Sequence, residues 1–426
     1  MYLRVANIAI QGSTLASRFL LVFLLARYLE PAQLGLYGLL TVTVGYSLYL
    51  LGFDFYIFTT RELVKRQPSD WGGLLTDQAA LSGVFYVVFL PLLSLIFVWG
   101  LLPWSMALWF FPLLVLEHIN QEFGRLLVAL SQPLWASIVL FVRQGSWAIG
   151  ITAVMAISPA TRTVDHVFAA WTVGGVLASC VAAWRLHGMG IGGWRNSVDW
   201  GWIKKGLKIS LPFFLATLAI RGLFTVDRYW LQQLGGLDVV GAYVLFAGIC
   251  GTLMTFLDAG VFSFTYPSLI KAHHDNDTEL FRRGMRNLIW MTCGVALGFI
   301  VVSLVLLDPL LAWMNKPFYV THLELYPWLL AATVLYAFGM IPHYALYAQG
   351  LDRPIIASHL ASLPLFFIFT WFAAKSLPVL AVPIGLCAAF SCIALWKTWA
   401  FYARTPAALF RSSRNHVAKP GAGTVT

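Results

Sequence analysis

Long apolar stretches, almost free of charged side chains, are the feature that most constrains this sequence. Several run for about 20 residues, which is enough for a helix to cross a hydrocarbon core about 30 Å thick. Lipid offers no partners to backbone N–H and C=O groups, so a crossing segment must be a helix or a strand of a closed barrel. The stretches are apolar throughout and do not alternate, which favours helices. The sequence therefore predicts an all-α, polytopic membrane protein.

Hydropathy and turn residues divide the chain into about twelve transmembrane helices. In the first half we predict helices over Val5–Tyr28, Gly35–Tyr56, Asp77–Val98, Met106–Val128, Pro133–Ile157 and His166–His187. In the second half we predict helices over Leu207–Leu231, Val239–Phe262, Asn287–Leu307, Leu325–Ala348, Pro354–Ala374 and Pro378–Tyr402. The predicted domains are an N-terminal lobe (1–187), a cytoplasmic linker (188–206), a C-terminal lobe (207–403) and a basic cytoplasmic tail (404–426).

Basic residues are distributed unevenly between the two sides of these helices. Most lie in loops on the side of both termini, whereas the loops on the other side carry Arg162, Arg228, Lys316 and Lys375. Short loops rich in Lys and Arg stay in the cytoplasm, so we predict a cell inner (plasma) membrane protein with both termini cytoplasmic. The net charge of +10 then reflects this orientation and contact with membrane lipids. No soluble basic domain remains, so we predict no nucleic-acid partner.

A polar stripe on the first predicted helix is repeated on the seventh. The corresponding positions, at one constant separation along the chain, are Asn7 with Ser210, Thr14 with Thr217, and Arg18 with Arg221. Gln11 completes the first stripe and has no polar counterpart in the second half. Two duplicated halves with six helices each have the same orientation in the membrane. We therefore predict two six-helix lobes related by a pseudo-two-fold axis along the membrane normal, with a central cavity between them.

Arg18, Arg143 and Arg221 lie near the middle of predicted helices. An arginine at this depth costs about 2.5–3.5 kcal/mol and therefore usually faces a cavity, a partner or a substrate. Glu117 is the obvious acidic counterpart at mid-membrane, which leaves positive charge in excess. A guanidinium group can hold two phosphate oxygens at once, so we predict a water-filled cavity that binds phosphate.

The same polar stripes add Gln11, Thr14 and Thr217 to the predicted substrate-binding residues. A structural alternative exists for the arginines. In that alternative they pair with Glu117, with Asp54 or with carbonyl groups at helix ends, and they hold no substrate. The sequence leaves this choice open.

Acidic residues within the helices also have two interpretations. Glu117 either couples transport to a proton or cation, or forms a structural polar seam with Gln121 and Arg125 on the same helix face. Asp54 and Asp258 lie near corresponding helix ends, where they form either a gate with basic loop residues or static salt bridges. The sequence contains no P-loop, zinc-protease or nucleophile-elbow motif, so we predict no cofactor, no metal and no enzymatic activity.

Local motifs in both halves resemble those of a known transporter family. The first half contains Gly12-Ser-Thr-Leu-Ala-Ser-Arg18, Leu25-Ala-Arg27-Tyr-Leu-Glu-Pro31 and Gly35-Leu-Tyr37. The second half contains Lys208-Ile-Ser-Leu-Pro212, Asp227-Arg228 and Gly241-Ala-Tyr243. Through these motifs the chain resembles, over nearly its whole length, the Wzx-like polysaccharide flippases of the multidrug/oligosaccharidyl-lipid/polysaccharide (MOP) exporter superfamily.

This resemblance implies a lipid-linked oligosaccharide as the substrate. The implied activity is the flipping of undecaprenyl-pyrophosphate-linked oligosaccharide from the inner to the outer leaflet, for O-antigen or other polysaccharide biosynthesis. Arg18 and Arg221 would hold the pyrophosphate while the two lobes rock around the cavity in alternating access. Other membrane proteins of polysaccharide assembly are implied as partners.

Three other functions compete with this interpretation. A cation-coupled multidrug extruder of the same superfamily would need an acidic mid-membrane site for cationic substrates, whereas the excess charge here is basic. A membrane glycan polymerase or ligase normally uses a sizeable outside loop, and the longest one here, about residues 308–324, is short. A purely structural membrane protein would not explain repeated arginines within the helices.

Overall fold

A computed structural model describes residues 2–194 and 197–405, and these residues form helices and short turns without a strand. The helices are α1 (Tyr2–Tyr28), α2 (Pro31–Gly52), α3 (Tyr56–Leu63), α4 (Trp71–Leu93), α5 (Leu95–Val98), α6 (Ala107–Ala129), α7 (Pro133–Phe141), α8 (Trp147–Ile157), α9 (Val164–His187), α10 (Trp200–Leu257), α11 (Ser263–His274), α12 (Thr278–Met314), α13 (Pro317–Thr321), α14 (Leu325–Ala348), α15 (Asp352–Ala374) and α16 (Ala381–Arg404). Two π-helical turns lie at Val142–Ser146 and Asp258–Phe262. The predicted all-α class is confirmed, and the predicted tail lies outside the described residues from position 406 onward.

Ten helical stretches of the described chain are long and apolar enough to cross a membrane, against about twelve predicted. One of them, Trp200–His274, has 75 residues and would be about 110 Å long as a single straight helix. Gly236 divides it into two crossings, because its φ of 79° and ψ of 179° suit glycine alone. The other difference between the ten observed and twelve predicted helices is α6. It has 23 residues, but it is too polar to count among the ten because it carries Glu117, Glu122 and Arg125. Each predicted helix therefore has a counterpart in the structure.

Proline and aspartate explain where several helices begin. Pro31 and Pro133 occupy the first turn of α2 and α7, where a missing N–H group leaves no hydrogen bond unmade. Asp199 caps α10, since its Oδ1 atom accepts the backbone N–H of Trp202 at 2.9 Å. The backbone N–H of Asp199 in turn donates to Oδ1 of Asp77 in α4 at 2.8 Å. The first turns of α10 thus lie within the predicted linker and are fastened to the N-terminal lobe.

The buried side chains show how the two lobes are joined. One core connects α1, α2, α4, α5, α6, α8 and α9 to both halves of α10 and to α12, α14, α15 and α16. It lies at the helix ends remote from the termini, which we call the far side. Towards the termini side, one separate core lies within α6, α7 and α9, and another within α11, α12 and α14–α16. A small core joins the start of α10 to α3 and α4. The lobes therefore share the large core, and the start of α10 adds a smaller apolar contact with the N-terminal lobe on the termini side.

Two glycines bring the lobes into backbone contact on the far side. A Cβ atom at Gly35 of α2 would lie 2.1 Å from the carbonyl oxygen of Leu237. A Cβ atom at Gly241 of α10 would lie 2.0 Å from the carbonyl oxygen of Pro31. These glycines open the two similar motifs noted in the sequence. In the structure the backbones of α2 and α10 pack directly against each other at these glycines, because neither residue has a side chain that would keep the helices apart.

Side chains close the far side above this contact. Lys316 donates a hydrogen bond from Nζ to the carbonyl oxygen of Leu29, and the same atom lies 3.2 Å from Oε1 of Glu30. The Tyr319 hydroxyl donates to the carbonyl oxygen of Ala26 at 3.2 Å. Leu29 and Ala26 belong to the end of α1, whereas Lys316 and Tyr319 belong to the segment that follows α12. The two lobes are thus closed against each other on the far side.

Candidate functional site

A cavity of about 640 Å³ lies between the lobes. Its walls come from α1, α2, α6, α8, α9 and the Val142–Ser146 turn on one side, and from α10 on the other. Of the α10 residues, Arg228 lies before the break at Gly236 and the others lie after it. The charged and polar side chains at its walls are Arg18, Thr41, Glu117, Arg143, Gln144, Arg228, Thr252 and Thr255. Arginines thus outnumber carboxylates at this surface. The net charge that the cavity offers to a ligand depends on which arginines form ion pairs.

Arg143 and Glu117 form a buried ion pair at the cavity wall. The guanidinium group donates from both Nε and Nη2 to Oε2 of Glu117, the former at 2.8 Å. Oε1 of Glu117 accepts a further bond from Nε1 of Trp171 at 2.8 Å. Arg143 is 9% exposed and Glu117 is 5% exposed. The pairing that the sequence left open for Arg143 is present, and these two charges neutralise each other.

The wide turn at Val142–Ser146 is what places Arg143 in this pair. A π-helical turn inserts one extra residue and rotates the side chains that follow it, and such turns are frequent at functional sites. Gly145 in the turn lies close to α1, since a Cβ atom there would be 3.4 Å from the Cα atom of Thr14. The turn therefore brings Arg143 and Gln144 towards the face of α1 that carries Arg18.

Arg18 is the arginine of the cavity that lacks a carboxylate partner. Its Nη1 atom donates to Oε1 of Gln144 at 3.1 Å, and the side chain is exposed. No ion pair involves Arg18 within residues 5–194 and 197–405. A neutral amide leaves the guanidinium charge uncompensated. The surface of the cavity therefore has a positive charge available to an anionic group.

Arg228 also lines the cavity, although the sequence-based count placed it in an outside loop. It lies within α10, where Nη1 donates to the carbonyl oxygen of Phe224 at 2.7 Å and lies 3.7 Å from Oδ1 of Asp227. Asp227 is buried and accepts a hydrogen bond from the Tyr243 hydroxyl at 2.6 Å. The signal for this residue is its spacing of seven residues from Arg221, which places both arginines on one face of the predicted helix Leu207–Leu231.

The structure does not bring Arg221 to the same cavity. Arg221 is exposed, and its guanidinium carbon lies 5.5 Å from the ring centre of Tyr49 in α2. Thr217, one turn before it, is half-buried and also lies outside the cavity lining. Thr14 is buried and donates from Oγ1 to the carbonyl oxygen of Ile10 at 2.9 Å. A substrate role for these three residues stays a prediction.

A second cavity of about 610 Å³ lies within the N-terminal lobe, between α1, α6 and α7. Gln11 lines it and donates from Nε2 to the Ser137 hydroxyl at 3.0 Å. Asn120 and Gln121 contribute further amide groups to its wall. Arg143 lines this cavity as well as the one between the lobes. Arg143 therefore stands between the two cavities, and Glu117 lines only the one between the lobes.

Asp54 and Asp258 end their helices differently. Asp54 follows α2 with a left-handed φ of 49° and is buried. Asp258 begins the second π-helical turn, after α10, and is exposed. Neither forms an ion pair with another described residue. Their predicted role as a gate stays a prediction, and no group of three or more metal-ligating His, Cys, Asp or Glu occurs in the described parts of the chain.

Comparison with known proteins places this geometry in a transporter fold. No protein-family profile and no curated protein matches the sequence. The chain is similar to an inward-facing multidrug resistance MATE family transporter of the MOP superfamily, with TM-score 0.74, 15% identity, and coverage of 94% of this chain and 98% of that chain.

Two further solved structures are similar. One is an outward-facing MATE family transporter, with TM-score 0.63, 16% identity and coverage of 94% and 95%. The other is a MOP superfamily transporter from Pyrococcus furiosus Vc1, described as having a binding pocket of reverse polarity that suggests a different function. Its TM-score is 0.58, with 15% identity and coverage of 96% and 94%. The chain therefore has the fold of the MATE family transporters of the MOP superfamily.

Proposed function

We propose that this protein is a flippase that moves undecaprenyl-pyrophosphate-linked oligosaccharide from the inner to the outer leaflet, for polysaccharide or O-antigen biosynthesis. Arg18 carries the proposal, because it offers an unpaired guanidinium group at the wall of the cavity between the lobes. A pyrophosphate group supplies the missing negative charge and accepts two N–H bonds from one guanidinium group. Arg228 lines the same cavity as a second cationic side chain, and its Nη1 atom lies 3.7 Å from Oδ1 of Asp227.

The cavity also suits the lipid part of such a substrate. Phe19 and Phe256 line it and are 39% and 50% exposed, on facing helices of the two lobes. Exposed apolar surface beside a cationic group matches an amphipathic molecule with an anionic head. The head then lies at Arg18 while the polyprenyl chain lies along apolar side chains towards the lipid.

The second cavity offers a place for the sugars. Gln11 and Gln121 present amide groups, which both donate and accept hydrogen bonds and so match sugar hydroxyl groups. Because Arg143 lines both cavities, a phosphate at the first lies beside a glycan at the second. In this arrangement the N-terminal lobe binds most of the substrate.

The closed far side supports the proposed direction of transport. The chain superposes on the inward-facing MATE structure with TM-score 0.74 and on the outward-facing one with 0.63. Lys316 and Tyr319 close the far side against the end of α1, and basic loops lie on the termini side. These observations support cytoplasmic termini and a cavity that loads from the cytoplasmic leaflet of the inner membrane. Other membrane proteins of polysaccharide assembly would supply and receive the substrate.

A cation-coupled multidrug extruder is the second candidate, favoured by the similar structures described as multidrug resistance transporters. Such a protein needs an available carboxylate in its cavity. Here Glu117 is bound by Arg143 and Trp171, and Asp227 is bound by Tyr243 and adjacent to Arg228. The polarity of the cavity therefore favours an anionic substrate. A solved MOP structure with a pocket of reverse polarity indicates that pocket charge differs within this fold.

The two candidates are separated by one transport experiment. The purified protein is reconstituted in liposomes, and translocation of a labelled polyprenyl-pyrophosphate oligosaccharide is compared with efflux of a cationic dye. The proposal expects movement of the anionic lipid and none of the dye above protein-free liposomes. Dye efflux without lipid movement would contradict it and identify a multidrug extruder.

A further inference from the structure

Three nitrogen bases form a buried cluster in the C-terminal lobe. Lys397 of α16 has no exposed surface, and its Nζ atom donates to Nδ1 of His343 in α14 at 3.2 Å and to Nε2 of His359 in α15 at 3.0 Å. His359 is itself buried. None of the three lines either cavity described above. A lysine in this position needs an explanation, because an ammonium group is rarely buried without a partner of opposite charge.

No carboxylate of the described chain compensates Lys397. None of the ion pairs within residues 5–194 and 197–405 involves Lys397, and the side chains within hydrogen-bond distance of its Nζ atom are His343 and His359. Each imidazole turns an acceptor nitrogen to the ammonium group, so both rings are neutral when the lysine is charged. The cluster thus carries one positive charge with its proton and none without it. Removing an isolated charge from water is costly, so hydration of the cluster decides which form prevails.

The nearest layer around the cluster consists of tyrosines. The rings of Tyr344 and Tyr347 lie 5.4 and 6.4 Å from that of His343, all on α14. Tyr266 of α11 contacts both tyrosines, and Asp258 acts on Tyr344 through this layer. Tyr347 is 48% exposed, which gives the cluster a path to water on the termini side.

The other neighbouring elements contribute little charge. From α10, Arg221 acts electrostatically on Tyr336 of α14, and α12 has no charged residue between Arg286 and Asp308. The remaining charged groups of α15 and α16 are Asp352, Arg353 and Arg404, which lie at the termini-side ends. Lys375 follows α15 on the far side. Seven residues separate Lys397 from Arg404, which is about 10 Å of helix. The state of the cluster is therefore set within the cluster.

We propose that Lys397, His343 and His359 form a proton-binding site that links proton uptake to the packing of α14, α15 and α16. The ligand is one proton from water on the termini side. On release, one N–H bond of the ammonium group breaks, the proton passes to water beside Tyr347, and a neutral amine remains between two neutral imidazoles. The charged form favours hydrated, separated helix ends, and the neutral form favours the dry packing.

This linkage gives the transport cycle a driving ion without using Glu117. A conformation that admits water between the ends of α14, α15 and α16 takes up the proton, and the packed conformation releases it. Only this coupling to transport rests on the function proposed above. Proton binding itself concerns the C-terminal lobe and does not depend on which molecule is moved.

Hydrogen exchange tests the site without a substrate. The full chain in lipid nanodiscs is exchanged at pH 5.5 and at pH 8.5, with times scaled for the intrinsic pH dependence of amide exchange. Peptides from the termini-side ends of α14, α15 and α16 should lose protection at the lower pH, by up to about tenfold per pH unit for one linked proton. Peptides from α9 are the control, and their protection should be the same at both pH values. Equal protection at both pH values would overturn the proposal.

Variants distinguish a titrating cluster from a merely structural one. Lys397→Met removes the charge and should hold the protection at its high-pH value, whereas Lys397→Arg keeps a permanent charge and should hold it at the low-pH value. Lys375→Met, on the exposed far-side loop, is the matched control and should behave as wild type. If both Lys397 variants fold poorly, His359→Gln should still lower the pH dependence. Undiminished pH dependence in a folded Lys397 or His359 variant would refute the site. Loss of oligosaccharide transport in the assay above would leave this result unaffected.

Discussion

Lys316 donates a hydrogen bond to the carbonyl oxygen of Leu29, and through it the segment after α12 closes on the end of α1. The carbonyl groups in the last turn of a helix have no partner within the helix and carry partial negative charge. An ammonium group there satisfies one of them and joins the two lobes at the far side. Alternating access requires this contact to break in each cycle.

We predict that Lys316→Met opens the far side more than Glu30→Gln does. Lys316 makes a charge-assisted bond to Leu29, and such bonds contribute about 1.5–3 kcal/mol. Glu30 is largely exposed, so its ion pair contributes less than about 1 kcal/mol. The measurement is labelling of a single cysteine at Thr41 by an impermeant thiol reagent from the far side, in a background without the native cysteines. Equal labelling of the two variants would argue against the closure described here.

The contact between Gly35 and Gly241 predicts a position-specific cost for adding a methyl group. Gly35→Ala meets the carbonyl oxygen of Leu237, and overpacking of this kind costs about 1–3 kcal/mol. Gly45→Ala and Gly251→Ala lie in the same two helices with nothing within 4 Å of the added atom. Thermal unfolding in detergent should show a lower midpoint for Gly35→Ala and Gly241→Ala only. Four equal midpoints would show that the lobes do not pack backbone to backbone.

The ion pair between Glu117 and Arg143 predicts non-additive effects on stability. Glu117→Gln leaves Arg143 buried and unpaired, which destabilises by about 3–5 kcal/mol. The double variant Glu117→Gln/Arg143→Met removes both charges and should recover most of that loss. Thermal unfolding of the two single variants and the double variant measures this coupling. A double variant as unstable as the sum of the singles would mean that the pair contributes no specific interaction.

The same variants separate a structural role of Glu117 from proton or cation coupling. A structural pair predicts that the stable double variant keeps its response to an imposed pH or sodium gradient. A coupling carboxylate predicts that this response disappears although the protein remains folded. Transport of the lipid-linked substrate with and without each gradient is the measurement.

Much of the fold follows from hydropathy, because lipid fixes both the length and the helical form of a crossing segment. The helices around Gly35 and Gly241 were predicted to within about four residues of their observed limits. The two glycines that open the similar motifs lie where the backbones of α2 and α10 contact each other. Gly236 marks the break between two crossings, and glycine is the residue that its backbone angles require. The sequence pattern was sufficient here because each signal is local.

The site was less predictable because it depends on helix rotation and on partners distant in sequence. Arg143 is positioned to bind Glu117 by a π-helical turn, and no sequence pattern predicted this turn. Arg228 lies within the predicted helix Leu207–Leu231 but was counted with the outside loops, because it is close to the end of that helix. Lys397 lies in an apolar helix, and its partners His343 and His359 come from two other helices. No spacing rule connects such residues.

The central claim is that Arg18 provides the unpaired charge that holds an anionic lipid-linked substrate. The most direct measurement is translocation of a labelled polyprenyl-pyrophosphate oligosaccharide in liposomes by wild type, Arg18→Gln and Arg66→Gln. Arg66 is an exposed arginine of the loop after α3, so its variant makes the same charge change away from the cavity. We expect Arg18→Gln to lose at least about tenfold in rate, as for a lost interaction of about 1.4 kcal/mol, and Arg66→Gln to equal wild type. Equal rates for all three proteins would contradict the account.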